Sequence, residues 1–501
     1  MKFYYYILEL LSGWNLSFIL VSIVLTFFWV RSRRPVDFPP GPTPLPFIGN
    51  LTSLFGSNLL QTNKKLKEKY GSIYSLSLGQ YWAVFVNDSN LLHEVFVKHA
   101  DNFSNRPDVF FFKTLLKGKG LASTSGHLWK QQRTFTLNAL RHFGFGKRSI
   151  ESKIVEEAGF FVEVLEKNKG FPVCNDDLIR KAISNVTCSI IFGNRFSYDD
   201  KIFLKLIQSI ADIMFNPFLP YVDWIPFLHN FSDLFFDVFG TRKCITEVKE
   251  LKDHFAKIIK VHKETLDEND ARDFIDAYLI ERQKHTQEED NTQFTEDNLE
   301  AMVLVLFGGG TETTSTALLW AILFLVNNPD VQETVHKEIE NIVGSGRQPL
   351  IKHRNNLPYC DAVLNETLRL GNITPFSLPH TAQEDIVIDG YRIPKGSIVV
   401  PSLNSAMHDE KIFPNSNTFD PTRFLDDKGK LIRHEDLLPF SLGRRVCLGE
   451  SLARMEIFLF FTAIVSRYRI VPIEGEQPPK IEGHIGTTHS PVTYKVRFVD
   501  W

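Results

Sequence analysis

Phe440-Ser-Leu-Gly443-Arg-Arg445-Val-Cys447-Leu-Gly449-Glu450 is the stretch whose reading decides the rest of the chain. A single cysteine sits between glycines that permit a tight turn, with an arginine two residues before it and an apolar helical run, Leu452 to Val465, after it. Each feature suits a thiolate bound axially to haem iron. A soft, strongly donating sulfur pushes electron density through the metal and favours O–O cleavage. Gly443 and Gly449 let the backbone turn around the sulfur and offer it amide hydrogens. Arg445 can reach a haem propionate as a charge-assisted partner, and Phe440 can pack beside the macrocycle. The dipole at the start of the following helix favours the thiolate further.

Outward from that loop, a second signal lies upstream. Leu299 to Val326 is a long apolar run, preceded by Glu296 and Asp297 and stopped by Asn327-Asn328-Pro329. Its centre reads Gly308-Gly-Gly310-Thr311-Glu312-Thr313-Thr314. Length alone would allow a membrane span, but a carboxylate at mid-membrane costs ~3 kcal/mol or more. Three central glycines each cost roughly 1 kcal/mol relative to alanine. Backbone brought close to a cofactor explains both features better. The glycines are not a GxGxxG after a strand, so no dinucleotide site is read there.

The chain has 501 residues, 43% hydrophobic and 23% charged, with a net charge of −3. That is a globular composition with room for a large core, which also accounts for the 43 phenylalanines. A dedicated nucleic-acid binder is excluded by the lack of a concentrated basic run. The cysteines, at 174, 188, 244, 360 and 447, include no CxxC pair, so neither a disulfide framework nor a structural zinc site is expected.

Phe3 to Val30 is apolar apart from Glu9 and a few neutral polar residues, and Arg31, Arg33 and Arg34 follow. A span needs ~20 apolar residues, and the basic cluster after it marks the cytosolic side. A cleaved secretory signal is the competing reading. The charge, however, follows the apolar run, and no small-residue cleavage site precedes it. Residues 1–34 are thus expected to form a signal-anchor. Residues 35–50, with Phe38-Pro-Pro-Gly-Pro-Thr-Pro-Leu-Pro46, form a stiff extended connector, and residues 51–501 the catalytic domain.

Within the body, Ser72–Leu78 and Ala83–Val86 read as a hairpin, and the pattern from Leu91 to Arg369 is overwhelmingly helical. Asp267 to Asp297 is largely polar around Phe274–Ile280 and reads as an exposed connection. Short β signals return at Ile386–Pro394, Ser397–Val400 and Val492–Phe498. The fold class expected is mainly α with a minor β portion (α+β), in one domain.

The cysteine loop FxxGxRxCxG resembles that of the cytochromes P450, most closely the animal microsomal families that oxidise drugs, steroids and fatty acids. The likeness runs from the proline-rich connector to the C-terminus. It implies the cytochrome P450 fold behind one N-terminal transmembrane helix, haem b (iron protoporphyrin IX), and monooxygenase chemistry. It also implies that Gly309-Gly-Thr-Glu312-Thr313 is the oxygen-binding helix motif. Gly309 would leave room above the haem, Thr313 would hydrogen-bond dioxygen, and Glu312 would relay protons. Glu366-Thr-Leu-Arg369 matches the ExxR pair, locked to Arg423 in Phe419-Asp-Pro-Thr-Arg423-Phe424. Many relatives have glutamate where Thr422 stands. This trio is expected to define the fold. Trp129 and Arg133 match a WxxxR helix that serves the propionates, with Arg106 and His380 as further cofactor contacts.

The resemblance further implies electrons from NADPH through NADPH–cytochrome P450 reductase, with cytochrome b5 as another partner. Docking would be on a basic face for which Lys130, Arg133, Lys147, Arg148 and Arg444 are candidates. The body should lie on the cytosolic side of the endoplasmic reticulum membrane and act on a lipophilic small molecule. The pocket would draw on Asp108–Gly120, Phe215–Phe218, Leu304–Gly309, Thr374–Leu378 and Ile485–Thr488. Two alternatives remain. One is a haem-thiolate isomerase or dehydratase acting on peroxides without external electrons; the other is a non-catalytic membrane protein that binds haem or lipid.

Overall fold

The computed structural model describes residues 16–23, 26, 33–45, 48–54, 58–79, 81–142, 148–216, 222, 237, 239–287 and 294–501. Most of the expected anchor lies outside these residues, as do Lys147 and Phe218.

The longer helices, in chain order, are α1 (Leu59–Tyr70), α2 (Gly126–His142), α3 (Arg148–Lys167), α4 (Asn175–Ile191), α5 (Lys201–Met214) and α6 (Thr241–Glu264). After them come α7 (Phe274–Gln287), α8 (Glu296–Asn327), α9 (Pro329–Val343), α10 (Pro358–Gly371) and α11 (Glu450–Val465). The strands are β1 (Ile73–Leu78), β2 (Tyr81–Val86), β3 (Pro172–Cys174), β4 (His380–Thr381), β5 (Ile386–Ile388), β6 (Tyr391–Ile393), β7 (Ile398–Pro401), β8 (Tyr468–Val471), β9 (Gly483–Ile485), β10 (His489–Pro491) and β11 (Lys495–Asp500). They form small sheets in the orders β1-β2-β7-β4, β3-β11-β8, β10-β9 and β5-β6. A helix-rich body with a minor sheet portion is what the sequence pattern predicts.

Helix α8 is the axis of the body, with α4, α6, α10 and α11 packed on it. The Thr295 side chain caps its first turn by accepting from the Asn298 amide, and Glu296 and Asp297 favour the dipole there. Its length and hydropathy would suit a membrane span, yet 72% of that window is buried inside the protein. It is a core helix, and the surrounding apolar side chains replace lipid.

The expected hairpin pairs Ile73 with Val86 through Leu78 with Tyr81, and β7 joins β2 in parallel. The proline-rich connector lies along β1. The Ser75 amide donates to Pro40 O at 2.7 Å and the Ser75 hydroxyl to Pro39 O at 2.6 Å. A Cβ on Gly41 would lie 2.0 Å from Ser75 O, so only glycine permits this approach. The connector is therefore fastened to the body, beyond the intrinsic stiffness of its prolines.

The exposed connection expected from Asp267 to Asp297 is corrected. Residues 274–287 form α7, whose Phe274, Ile275, Tyr278 and Leu279 are buried. These side chains pack into the core, and the buried Asp276 beside them pairs with Arg272.

Beneath the site, Glu366 and Arg369 on α10 are fully buried. The Arg369 guanidinium donates to both Glu366 oxygens at 2.6 and 2.8 Å and to Met407 O at 2.8 Å. Arg423 Nε adds a contact to Glu366 Oε1 at 3.2 Å, and the Asp420 amide donates to the same oxygen at 3.0 Å. One carboxylate thus ties α10 to the segment that precedes the cysteine loop.

Candidate active site

A cavity of about 420 Å³ lies between α8 and the cysteine loop, with mostly apolar walls. Cys447, Phe440, Arg445, Gly449, Trp129, Arg133, Arg106, Gly309, Glu312 and Thr313 all line it. The structure thus brings residues from distant parts of the sequence to one place.

Gly443 has φ +73°, and a Cβ there would lie 1.9 Å from Phe96 O. Any side chain is excluded both by conformation and by space. Gly449 differs: it precedes α11 with φ −87°, and a Cβ would meet only Cys447 Sγ, at 4.0 Å. Its backbone is open to any residue, so its value lies in leaving room at the sulfur. The Cys447 amide donates to Phe440 O at 2.9 Å, which closes the turn. The thiol surface faces the cavity. Burial, joined by the Glu450 charge, raises its proton affinity above that of an ordinary thiol, against the lowering pull of the Gly449 and Glu450 amides and the charge of Arg133. Gly443→Ala should lower thermal stability by about 3 kcal/mol or more and reduce cofactor content, because left-handed strain and a backbone clash coincide. Thermal melts paired with pigment content check this.

Arg106, Arg133 and Arg445 converge on one part of the wall without a carboxylate partner among the described residues. Arg445 donates to the carbonyls of Ser104 (2.7 Å), Leu121 (3.3 Å) and Thr124 (2.7 Å). Arg106 donates to Leu378 O and Pro379 O, but its buried Nε has no partner. Arg133 donates to Val446 O at 2.7 Å. The Trp129 ring lies 4.1 Å from the Arg445 guanidinium carbon and 5.8 Å from that of Arg133. Burial lowers Arg106 to about 9. Burial, then the charges of Arg106 and Arg133, lowers Arg445 to about 8. Clustered, desolvated cations without counter-charge fit a group carrying more than one negative charge.

His380 is not on the cavity wall. It is buried, with Nδ1 at 2.5 Å from Phe103 O and its ring against Phe96. Burial and the neighbouring Arg106 hold its proton affinity well below the usual imidazole range. The expected basic docking face also changes: Arg133 points inward and Arg444 pairs with Asp101, whereas Lys130 is exposed.

On α8, the three glycines differ in purpose. A Cβ on Gly310 would lie 2.8 Å from Thr187 Oγ1, so that glycine admits α4. Gly308 faces Ile210 of α5 at 3.2 Å. Only Gly309 would project a Cβ into open space, and it is the one exposed to the cavity. Thr313 Oγ1 donates to Gly309 O at 2.7 Å. Glu312 is 1% exposed and accepts from Arg180 Nη2 at 3.1 Å through Oε1, while Oε2 has no partner.

Sequence reasoning missed Arg180, since nothing local marks a partner 132 residues away. It also missed Glu456 on α11, which lines the cavity and whose carboxyl burial lifts to about 8. Of the expected pocket segments, Phe111, Leu115 and Leu116, Leu304 to Leu306 with Gly308 and Gly309, Thr374 with Phe376 to Leu378, and Thr487–Thr488 contribute. Phe215 instead lines a second cavity, and Phe218 lies outside the described residues.

A helical body with an α8 axis, a buried Glu-Arg-Arg lock and a cysteine turned into an apolar cavity define the haem-thiolate class. The chain belongs to the cytochrome P450 family, whose family model matches residues 39–498. It is 38% identical to cytochrome P450 2B4 of Oryctolagus cuniculus over 490 residues, 96% of this chain and 97% of that protein. It is 35% identical to cytochrome P450 2U1 of Homo sapiens over 515 residues, 97% and 93% of the two chains. Cytochrome P450 2C39 of Mus musculus is 39% identical over 455 residues, 90% and 91% respectively. The chain is a monooxygenase of this family, and the family's cofactor is haem.

Proposed function

We propose that this enzyme inserts one oxygen atom from O2 into a lipophilic small molecule: a xenobiotic, a fatty acid or a steroid. Electrons come from NADPH through NADPH–cytochrome P450 reductase, with cytochrome b5 as a further partner. The observation that carries this reading is the one cavity lined by Cys447, by arginines without a carboxylate partner among the described residues, and by Glu312 and Thr313.

Haem, when bound, supplies oxygen activation at its iron. Cys447 would hold the iron as thiolate, with the Gly449 and Glu450 amides and the start of α11 favouring the ionised sulfur. Arg106, Arg133 and Arg445, with the Trp129 indole, would hold the propionates, and Phe440 would pack beside the macrocycle. His380, held through Nδ1 on Phe103 O, would be a further cofactor contact beside Arg106. Gly309 leaves space for substrate and oxygen. Thr313 orients a proton donor at the reacting centre and Glu312 supplies protons to it. The apolar walls, including Phe111, Leu115, Ile213 and Leu304, exclude water and select lipophilic compounds.

Residues 16–23 are helical, and their Leu16, Phe18, Leu20 and Ile23 side chains are exposed. Apolar surface of this kind supports an anchor in the endoplasmic reticulum membrane with the body on the cytosolic side.

An isomerase or dehydratase would gain nothing from an acid and an alcohol at the cavity, and a passive binder would consume no NADPH. Reconstitution with reductase, NADPH and ¹⁸O2 over a lipophilic compound panel separates these readings. One labelled oxygen in the product, with matched NADPH consumption, is the expected result. Unlabelled, NADPH-independent rearrangement of peroxides would overturn it.

A further inference from the structure

Gly449, Leu452, Ala453 and Glu456 recur at i, i+3, i+4 and i+7, and all four line the cavity between α8 and the cysteine loop. Glu456 thus puts a carboxyl on the face that α11 turns to the cavity, between the buried Met455 and Ile457. It is 1% exposed, its Oε1 has no partner, and no cation pairs with it among the described residues. Across the seam, its hydrogen-bond partner is the Thr314 hydroxyl of α8, which is also buried and also on the cavity wall. Thr314 directly follows Thr313. An apolar side chain would fill this place without leaving a buried polar atom unsatisfied, so packing does not account for the acid.

We propose that Glu456 is a positioning residue that sets the reduction potential of the haem iron: uncharged, it joins α11 to α8 at Thr314, and ionised, it puts an unpaired negative charge in the cofactor's wall. This rests on Cys447 as the ligand of bound haem. Burial keeps the proton on the Glu456 carboxyl up to about 8, against the lowering pull of the Thr314 hydroxyl. At neutral pH the acid is therefore uncharged. Above that range a buried anion favours Fe(III) over Fe(II), so the step Fe(III) + e⁻ → Fe(II) becomes harder. Ionisable groups on the elements packed against α11 are engaged elsewhere. Glu157 of α3 pairs with Arg195, Glu312 of α8 with Arg180, and Glu366 of α10 with Arg369. Glu338 and His336 of α9 bond backbone groups, Arg354 pairs with Asp361, and Tyr468 of β8 donates to Glu166. The Glu456 carboxyl answers to burial and to Thr314, and no charged side chain moves it.

The test is the iron's potential across pH, titrated with dithionite in the haem-loaded parent, Glu456→Gln and Thr314→Val, with Glu456→Met as a second uncharged variant. Infrared difference spectra of the same samples follow the carbonyl band of a protonated carboxyl. The parent's potential should fall as pH rises through about 8, while its carboxylic-acid band disappears. Arg445 can lose a positive charge over the same range and lower the potential too, so the difference between parent and Glu456→Gln is the reading. The glutamine and methionine variants should lack the band and show a smaller fall. Thr314→Val removes the lowering bond, so it should move both the band's loss and the Glu456 part of the fall to higher pH. If parent, Glu456→Gln and Glu456→Met run parallel across pH while the reduced, carbon-monoxide-bound spectrum is of the thiolate type, Glu456 does not set the potential and the ligand assignment stands. If the parent's spectrum is of the histidine type, the ligand reading falls and this proposal with it.

Discussion

Glu366→Gln should yield a protein with a markedly lower melting temperature that accumulates with little haem. Arg369 is fully buried, and the Glu366 carboxylate accepts two of its bonds, one from Arg423 and one from the Asp420 amide. Glutamine preserves the shape but removes the negative charge. Its amide hydrogens also meet guanidinium donors where a carboxylate oxygen accepted. Breaking a buried pair from one side costs about 3–5 kcal/mol, because the remaining charge has no access to water. Against a net stability of about 5–15 kcal/mol, that is a large share. Calorimetry and haem-to-protein ratios at matched expression measure it. A variant that melts with the parent protein would show that the trio contributes little to the fold.

Thr313→Ala should leave haem content and stability near those of the parent, while product formed per NADPH falls roughly 10-fold or more as proton transfer loses its positioned hydroxyl. The missing electrons should appear as H2O2. In the structure Thr313 donates to Gly309 O, so its oxygen lone pairs are free to accept from a donor in the cavity. Thr313→Ser keeps that hydroxyl and should retain most of the coupling, whereas Thr313→Val should resemble alanine. Unchanged coupling in Thr313→Ala would remove the hydroxyl from the mechanism.

The cysteine loop was legible because its demands are local. Gly443 must be glycine for reasons confined to a few residues, and α11 begins directly after Gly449. The α8 segment was legible for a similar reason, since glycines and a glutamate inside an apolar run require an explanation wherever the run lies. Long-range partners were not legible. Arg180 reads as an ordinary surface-helix cation until α4 is packed on α8. Arg133 reads both as a propionate partner and as a docking charge, and α2 turns it onto Val446 O at the cavity wall. His380 was marked only by its sequence neighbours; the fold buries it against Phe96 with Nδ1 on Phe103 O. Helix α7 was misjudged because the charged residues around its buried apolar ones dominate the local composition. Strands of two or three residues, such as β4 and β9, are too short to show an alternating pattern.

The central claim is that Cys447 is the iron's ligand. The most direct measurement is the reduced, carbon-monoxide-bound difference spectrum of the folded, haem-loaded protein, recorded beside Cys447→His. The parent protein should show a Soret band far to the red of histidine-ligated haem, and the variant should lose it while retaining haem. A parent spectrum of the histidine type, or a red-shifted band that survives in Cys447→His, would contradict thiolate ligation by Cys447 and the mechanism built on it.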